Sequence, residues 1–241
     1  MKSSQVKKVL AVVMMIIVLM GQAPMTLQAQ EEAIASIGLQ SPSVNATALN
    51  KTQMNNVKSA VEKAIKNSKT SVMISWGKKS PTTAQSKEAK YIAENLSSSL
   101  EKVKSISYGY YRSGKTYGLY LRLTYYTSAE LKAINTAANK IVSYAKSGST
   151  AYQKALRAHD KLVNTTQYDY ANYKKGKVPT ASYNAYGALV KHVAVCSGYA
   201  KAYAIIMNRL GLTTITCTSN KMNHQWNMVM INKKWYHVDV C

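Results

Sequence analysis

Cys196, His224 and Asp239 are the residues of this 241-residue chain whose types and order could do covalent chemistry. Tyr199, Ala202, Tyr203, Ile206 and Leu210 recur at three-and-four spacing, which predicts a buried helix over 197–210 with Gly211 as its C-terminal cap. Cys196 then sits at the N-terminus of that helix. Unpaired N–H groups and the positive end of the macrodipole favour an anion there, and so the nucleophilic thiolate. Gly198 in the first turn costs helix stability but lets another backbone or a substrate come close. The plainer reading of Cys196 is a small buried hydrophobe, a common fate of free cysteine.

A base and a carboxylate to orient it follow downstream. Residues 224–231 run from polar to apolar as a strand, Asn232-Lys233 can make a tight turn, and 234–240 returns as a second strand. With a two-residue loop, Ile231 faces Lys234 and Trp226 faces Asp239, which puts His224 and Asp239 on one face as diagonal neighbours. A one-residue slip would separate them. His237 falls on the same face, so the residues alone leave two candidate bases. A cysteine on a helix end, a histidine and an aspartate that fixes the imidazole are the parts of an acyl-transfer triad.

Val195-Cys196-Ser197-Gly198-Tyr199-Ala200, His224-Gln225-Trp226-Asn227 and Trp235-Tyr236-His237-Val238-Asp239 occur in that order. Over about 150–241 the chain resembles the transglutaminase-like superfamily of papain-type cysteine enzymes. The resemblance implies an α+β, papain-like transglutaminase-type core, in which a helix carrying the cysteine packs on an antiparallel sheet carrying the histidine and aspartate. It assigns the base to His224 rather than His237, with Cys196 as nucleophile and Asp239 as the orienting group. The backbone N–H of Cys196 is the natural first oxyanion donor, and Tyr186 and Asn184 are further candidates. The substrate implied is a protein or peptide, attacked at a peptide or carboxamide carbonyl, with the acyl group passing to water or to a lysine amine. No cofactor is expected. Cys196, His224 and His237 lack the short paired spacings of zinc sites, so no metal is expected either. Such modules commonly open with a helix patterned like His159-Asp160-x-Leu162-Val163 followed by Tyr168-Asp169. They usually continue past the aspartate strand into Thr-Trp-Asp, where this sequence reads Asp239-Val240-Cys241, so the domain at 150–241 is expected to be C-terminally curtailed.

Over 150–169, Tyr152, Ala155, Leu156, His159, Leu162 and Val163 fall at helical spacing, and this stripe puts His159 on a packing face. His192, in the turn before Cys196, is expected to be exposed. Three cysteines cannot all pair; with Cys196 reduced, Cys217 and Cys241 remain as a candidate disulfide in an oxidising exterior.

The start of the chain reads as an export signal over 1–29. Lys2, Lys7 and Lys8 form a basic n-region, residues 9–20 an apolar run short for a membrane span, and Leu27-Gln28-Ala29 a cleavage site. The expected location is extracellular, secreted or cell-wall associated, with no stable membrane span once the signal is removed. Residues 30–47 read as a linker. The chain carries 32 Lys+Arg against 10 Asp+Glu, and removal of the signal lowers its formal charge from +22 to +19. Such a field draws a protein toward polyanions. No nucleic-acid module is recognisable, so anionic cell-wall polymers are the expected polyanionic partner and no nucleic acid is expected. A second reading of the whole chain is a catalytically inactive cationic wall-binding module with the same fold.

Residues 48–148 read as a small α+β domain in the order α, β, α, β, β, α. Helices are predicted over 49–66, over 84–103, and from Ser128 as N-cap to about Tyr144; strands over 71–76, 105–112 and 117–126, the last two a hairpin about Ser113-Gly114-Lys115. Tyrosine occurs 18 times and phenylalanine not at all, clustered in that hairpin, where the rings could stack sugars or simply fill strands.

Overall fold

In the computed structural model, which describes residues 48–219 and 221–241, the N-terminal elements follow the order read from the sequence. The export signal expected at 1–29 and the linker expected at 30–47 lie outside the described residues. Helix α1 (Lys51–Lys66) begins at a capping box: Asn50 Oδ1 accepts from the Gln53 N–H, and Gln53 Oε1 accepts from the Asn50 N–H. Strand β1 (Ser71–Gly77) alternates buried Val72 and Ile74 with exposed neighbours. The single helix expected over 84–103 is two, α2 (Thr83–Glu94) and α3 (Ser97–Lys102). Asn95 marks the break. Its Nδ2–H donates to the Tyr91 carbonyl, a local bond that competes with the helix ladder, and its Oδ1 accepts from the Thr216 N–H at 2.8 Å.

Strands β2 (Val103–Ser113) and β3 (Thr116–Tyr125) form the expected hairpin, with Gly114 at φ +57° in the turn. The sheet order is β1-β3-β2, antiparallel throughout. Its inner face packs Val72, Ile74, Ile106, Leu119, Leu121 and Leu123 against Val57, Val61 and Ile65 of α1 and Ala89 and Ala93 of α2. On its other face Tyr120 lies over its cross-strand partner Gly109 and Tyr111 over Gly118, each ring filling space that a Cβ would need.

Helix α4 (Ser128–Lys146) starts at the residue expected to cap it. Thr127, not Ser128, is the N-cap: its Oγ1 accepts from the Glu130 N–H and Glu130 Oε2 accepts from the Thr127 N–H. The buried face of α4, Ile134, Ala138, Ile141, Val142 and Ala145, belongs to a second core that begins at Tyr126 and runs to Val240. In α5 (Ala151–Thr165), Ala155, Ala158 and Leu162 are buried, whereas Tyr152, Leu156 and Val163 face solvent. The helical period is as read from the sequence, but the covered stripe is narrower. The chain leaves α5 through β4 (Gln167–Tyr168), which pairs in parallel with β5 (Val193–Ala194). Between them lie α6 (Tyr170–Lys174), a 3-10 turn (Thr180–Tyr183) and a π turn (Gly187–Lys191).

Helix α7 (Cys196–Arg209) is the centre of the second core. It is buried on almost every side, from Gly198 through Met207, and Gly211 at φ +73° follows its end. Tyr199 donates to the Thr166 carbonyl at 2.6 Å and Tyr203 to the Ala155 carbonyl at 3.0 Å, fixing α7 against α5 and the segment after it. At its far end Arg209 forks onto Glu101 of α3 and the side chains of Asn135 and Asn139 of α4. Strands β6 (Thr214–Ser219), β7 (His224–Ile231) and β8 (Lys234–Val238) then form a three-stranded antiparallel sheet in chain order. The described residues belong to a single compact unit, so the two cores share one body.

Candidate active site

The site forms where the start of α7 meets the open end of the last hairpin. Asn232 and Lys233 both adopt positive φ, 52° and 64°, which makes the two-residue turn that twisted strands favour. That turn sets Ile231 opposite Lys234 and continues to Asn227 opposite Val238, the register read from the sequence. His224 and Asp239 accordingly meet: His224 Nε2–H donates to Asp239 Oδ2 at 2.7 Å. The other face of β7 is tied to the helix, because fully buried Asn227 donates from Nδ2 to the Ala200 carbonyl at 3.1 Å.

Cys196 is half-buried at the first position of α7. Gly198 permits the approach of the chain before it: a Cβ there would lie 2.5 Å from the Ser182 carbonyl oxygen and 2.8 Å from Ala194 Cβ. The close neighbour is therefore backbone.

Burial alone would raise the Cys196 pKa. Hydrogen bonds to its sulfur from His224 and from the backbone N–H groups of Gln225 and Ser197 outweigh that penalty and hold the thiol below its ordinary value. For His224 burial acts downward, yet its bonds to Asp239 and Cys196 push it up to about 10. The two opposed shifts describe a thiolate and an imidazolium stabilising each other. Since Nε2 is given to Asp239, Nδ1 is the nitrogen left for the sulfur.

The other histidines are employed differently. His237 Nδ1 accepts from the Trp226 indole N–H at 2.8 Å, and burial lowers its pKa, favouring the neutral ring. Trp226 stands between the two imidazoles and stacks on His224 at 6.0 Å and 14°. His192 is exposed at φ +57°. His159 reaches the site from α5: its Nε2–H donates to the backbone carbonyl of Asp239 at 3.1 Å, and its Nδ1 lies 2.9 Å from Asp160 Oδ1.

Of the oxyanion candidates, Asn184 is buried with its amide engaged locally, donating to the Thr180 carbonyl and accepting from the Tyr186 N–H. One of its two amide N–H groups is thereby committed to the local turn. Tyr186 packs against the second core with the Lys191 ammonium over its ring. The group that meets the Cys196 N–H is the Tyr168 hydroxyl, whose pKa is driven up chiefly by burial. Sequence reasoning passed over Tyr168 as part of a helix pattern; the two-residue strand β4 beside β5 is what brings it to the nucleophile.

The cysteines are all free. Cys217 is fully buried opposite Trp226, its thiol pushed up to about 12 by burial. Cys241 does not pair with it. It turns into the site, where its Sγ, a ring nitrogen of His224 and a carboxylate oxygen of Asp239 all lie within 4.8 Å of one another.

The family model described as the transglutaminase-like superfamily matches residues 135–240. The match takes in the second half of α4 and everything from there to Val240, which is also most of the second core. Among solved structures, the chain is similar to one described as a TGase, at 18% identity and TM-score 0.43, over 57% of this chain and 44% of that one. It is also similar to a provisionally assigned cysteine protease from Cytophaga hutchinsonii, at 12% identity and TM-score 0.36, over 56% of this chain and 61% of that one. The chain thus spans less than two thirds of either. No curated protein matches it. Among the described residues, no helix is long and apolar enough to cross a membrane.

Proposed function

We propose that this protein is a cysteine acyl-transfer enzyme acting on protein or peptide substrates outside the cell. The observation that carries the reading is the relay from Asp239 through His224 to Cys196, with the sulfur lowered and the imidazole raised. Cys196 attacks a peptide or carboxamide carbonyl. His224 Nδ1–H then passes its proton to the departing amine, while Asp239 keeps the ring oriented through Nε2. The Cys196 N–H is the first oxyanion donor, and a carbonyl oxygen arriving there displaces or joins the Tyr168 hydroxyl, which is neutral and can donate. Water or a primary amine completes the cycle by attacking the thioester carbonyl, the sulfur leaving with its proton supplied through His224. An inert wall-binding module would have no use for a cysteine stabilised as thiolate at the mouth of a helix.

The experiment uses the full chain, reduced, with a casein substrate and a fluorescent primary amine. Intact-mass analysis of quenched reactions should find an acyl adduct on Cys196, absent in Cys196→Ala. Peptide release without amine incorporation assigns hydrolysis, and amine incorporation assigns crosslinking. Turnover undiminished in Cys196→Ala would refute the reading. The extracellular setting is supported by the lysine-flanked apolar run at 9–20 and by the charge of the chain. N-terminal sequencing of material from the medium should begin near Gln30, and retention on isolated anionic wall should fall steeply with salt.

A further inference from the structure

Asp239 and Cys241 flank Val240, which is buried in the second core and anchors the segment. Opposite them stands His224, and one donor atom from each of the three residues lies within 4.8 Å of the others. The donors are an imidazole nitrogen, a carboxylate oxygen and a sulfur. Calcium and magnesium call for oxygen alone, whereas zinc takes this mixed set and needs only three protein ligands when its fourth position holds water. Ligands bound at zinc distances stand roughly 3.3–3.8 Å apart. The trio therefore closes on an ion with small side-chain movements, chiefly a widening of the 2.7 Å contact between His224 and Asp239. The approach is open, since the ring and the carboxylate are about one-fifth exposed and Cys241 is exposed. The segment is also braced: His159 holds the Asp239 carbonyl, and the Cys241 N–H donates to Asp239 Oδ1 at 3.3 Å.

We propose that His224, Asp239 and Cys241 form a zinc site that reversibly shuts off this centre; the inhibition rests on the acyl-transfer reading, and the binding does not. Entry of the ion displaces one proton from His224 Nε2 and one from the Cys241 thiol, both to solvent, and three new metal–ligand bonds form. His224 Nδ1 then carries the ring's one proton. Giving it to a leaving amine would require an imidazolate, so acylation stops. Cys196 is not a ligand.

The test is a zinc titration of the reduced full chain against a chromophoric chelator, repeated with cobalt to detect a sulfur-to-metal charge-transfer band. Wild type and Cys196→Ala should bind one ion with equal affinity and display the band. Cys241→Ala, Cys241→Ser and His224→Ala should bind at least about a hundredfold more weakly, and Cys241→Ala should lack the band. Zinc should abolish acyl transfer by the wild type, a chelator should restore it, and Cys241→Ala should need at least tenfold more zinc for the same inhibition. Undiminished binding by Cys241→Ala, or a band lost in Cys196→Ala instead, overturns the site. Binding as described by a chain that transfers no acyl group in metal-free buffer leaves the site standing and removes the acyl-transfer reading with its inhibition.

Discussion

Among the described residues two three-stranded antiparallel sheets stand, each with helical packing on one face, and they differ in what they present. The β1-β3-β2 sheet turns outward a surface on which Met73 and Arg122 are exposed and two tyrosine rings lie over glycines. In the β6-β7-β8 sheet the end of a hairpin meets the first residue of a buried helix, and there the cluster of His224, Asp239 and Cys241 lies beside Cys196. Pleat and register are common to both. Reactivity comes from a helix that begins at a strand end, because its unpaired N–H groups favour an anion and the strand delivers a cation to face it. The first sheet holds its helices by their sides.

The comparison breaks hardest if the relay is cut. Asp239→Asn should lower kcat/KM for a peptide substrate by about 10⁴-fold, since the ring loses both its tautomer and its counter-charge. Tyr111→Ala and Tyr120→Ala, on the first sheet, should stay within about twofold of wild type in the same assay.

A smaller effect sharpens the electrostatic half. The folded pKa of Cys196 is depressed, so its thiolate persists as pH falls below the free-thiol value of about 8.5. His224→Ala removes the opposing bonds and leaves the burial penalty, which moves the reactive limb upward. Site-resolved alkylation at pH 6 should accordingly slow about a hundredfold at Cys196. Cys217, already held near 12 by burial, should remain unreactive in both proteins.

Next come the glycines. A methyl at Gly198 meets the carbonyl of Ser182 and the Cβ of Ala194, neither of which can swing away, so Gly198→Ala should cost about 2–3 kcal/mol by urea unfolding. A methyl at Gly109 meets only the ring of Tyr120 on an open face. Gly109→Ala should cost under about 1 kcal/mol, because the ring can turn aside. Equal costs would mean that the two sheets are packed alike after all.

Asn95→Ala should cost less than Gly198→Ala, about 1–2 kcal/mol by urea unfolding. It strips the Thr216 N–H, on the edge strand of the second sheet, of its acceptor in the first half of the chain.

Much of this arrangement was legible beforehand, and the reason is local. Two residues, Asn232 and Lys233, dictate the hairpin register, and period-two alternation then carries His224 to Asp239 without further information. The helix from Cys196 announced itself by an apolar repeat that any burial would produce. What escaped depends on partners distant in sequence. The α5 stripe has the right period, but whether Tyr152, Leu156 and Val163 are covered depends on how wide a neighbour lies against them. Asn95 breaks a helix that propensity would continue, helped by an acceptor role toward a strand 121 residues away. The Thr127-x-x-Glu130 box is legible in the sequence, and it sets the cap one residue before Ser128. Tyr168 reaches Cys196 only because β4 and β5 pair in parallel, and two residues of strand carry no pattern.

Trp226 lends the site an optical consequence. Its indole is stacked on the imidazole of His224, and an imidazolium in that position accepts an electron from the excited ring and darkens it. Emission from this tryptophan therefore reports the charge on His224 against the background of Trp76 and Trp235. It brightens as the imidazolium gives up its proton at high pH, so the charge state of the centre can be followed by light in the resting protein, before any substrate is supplied.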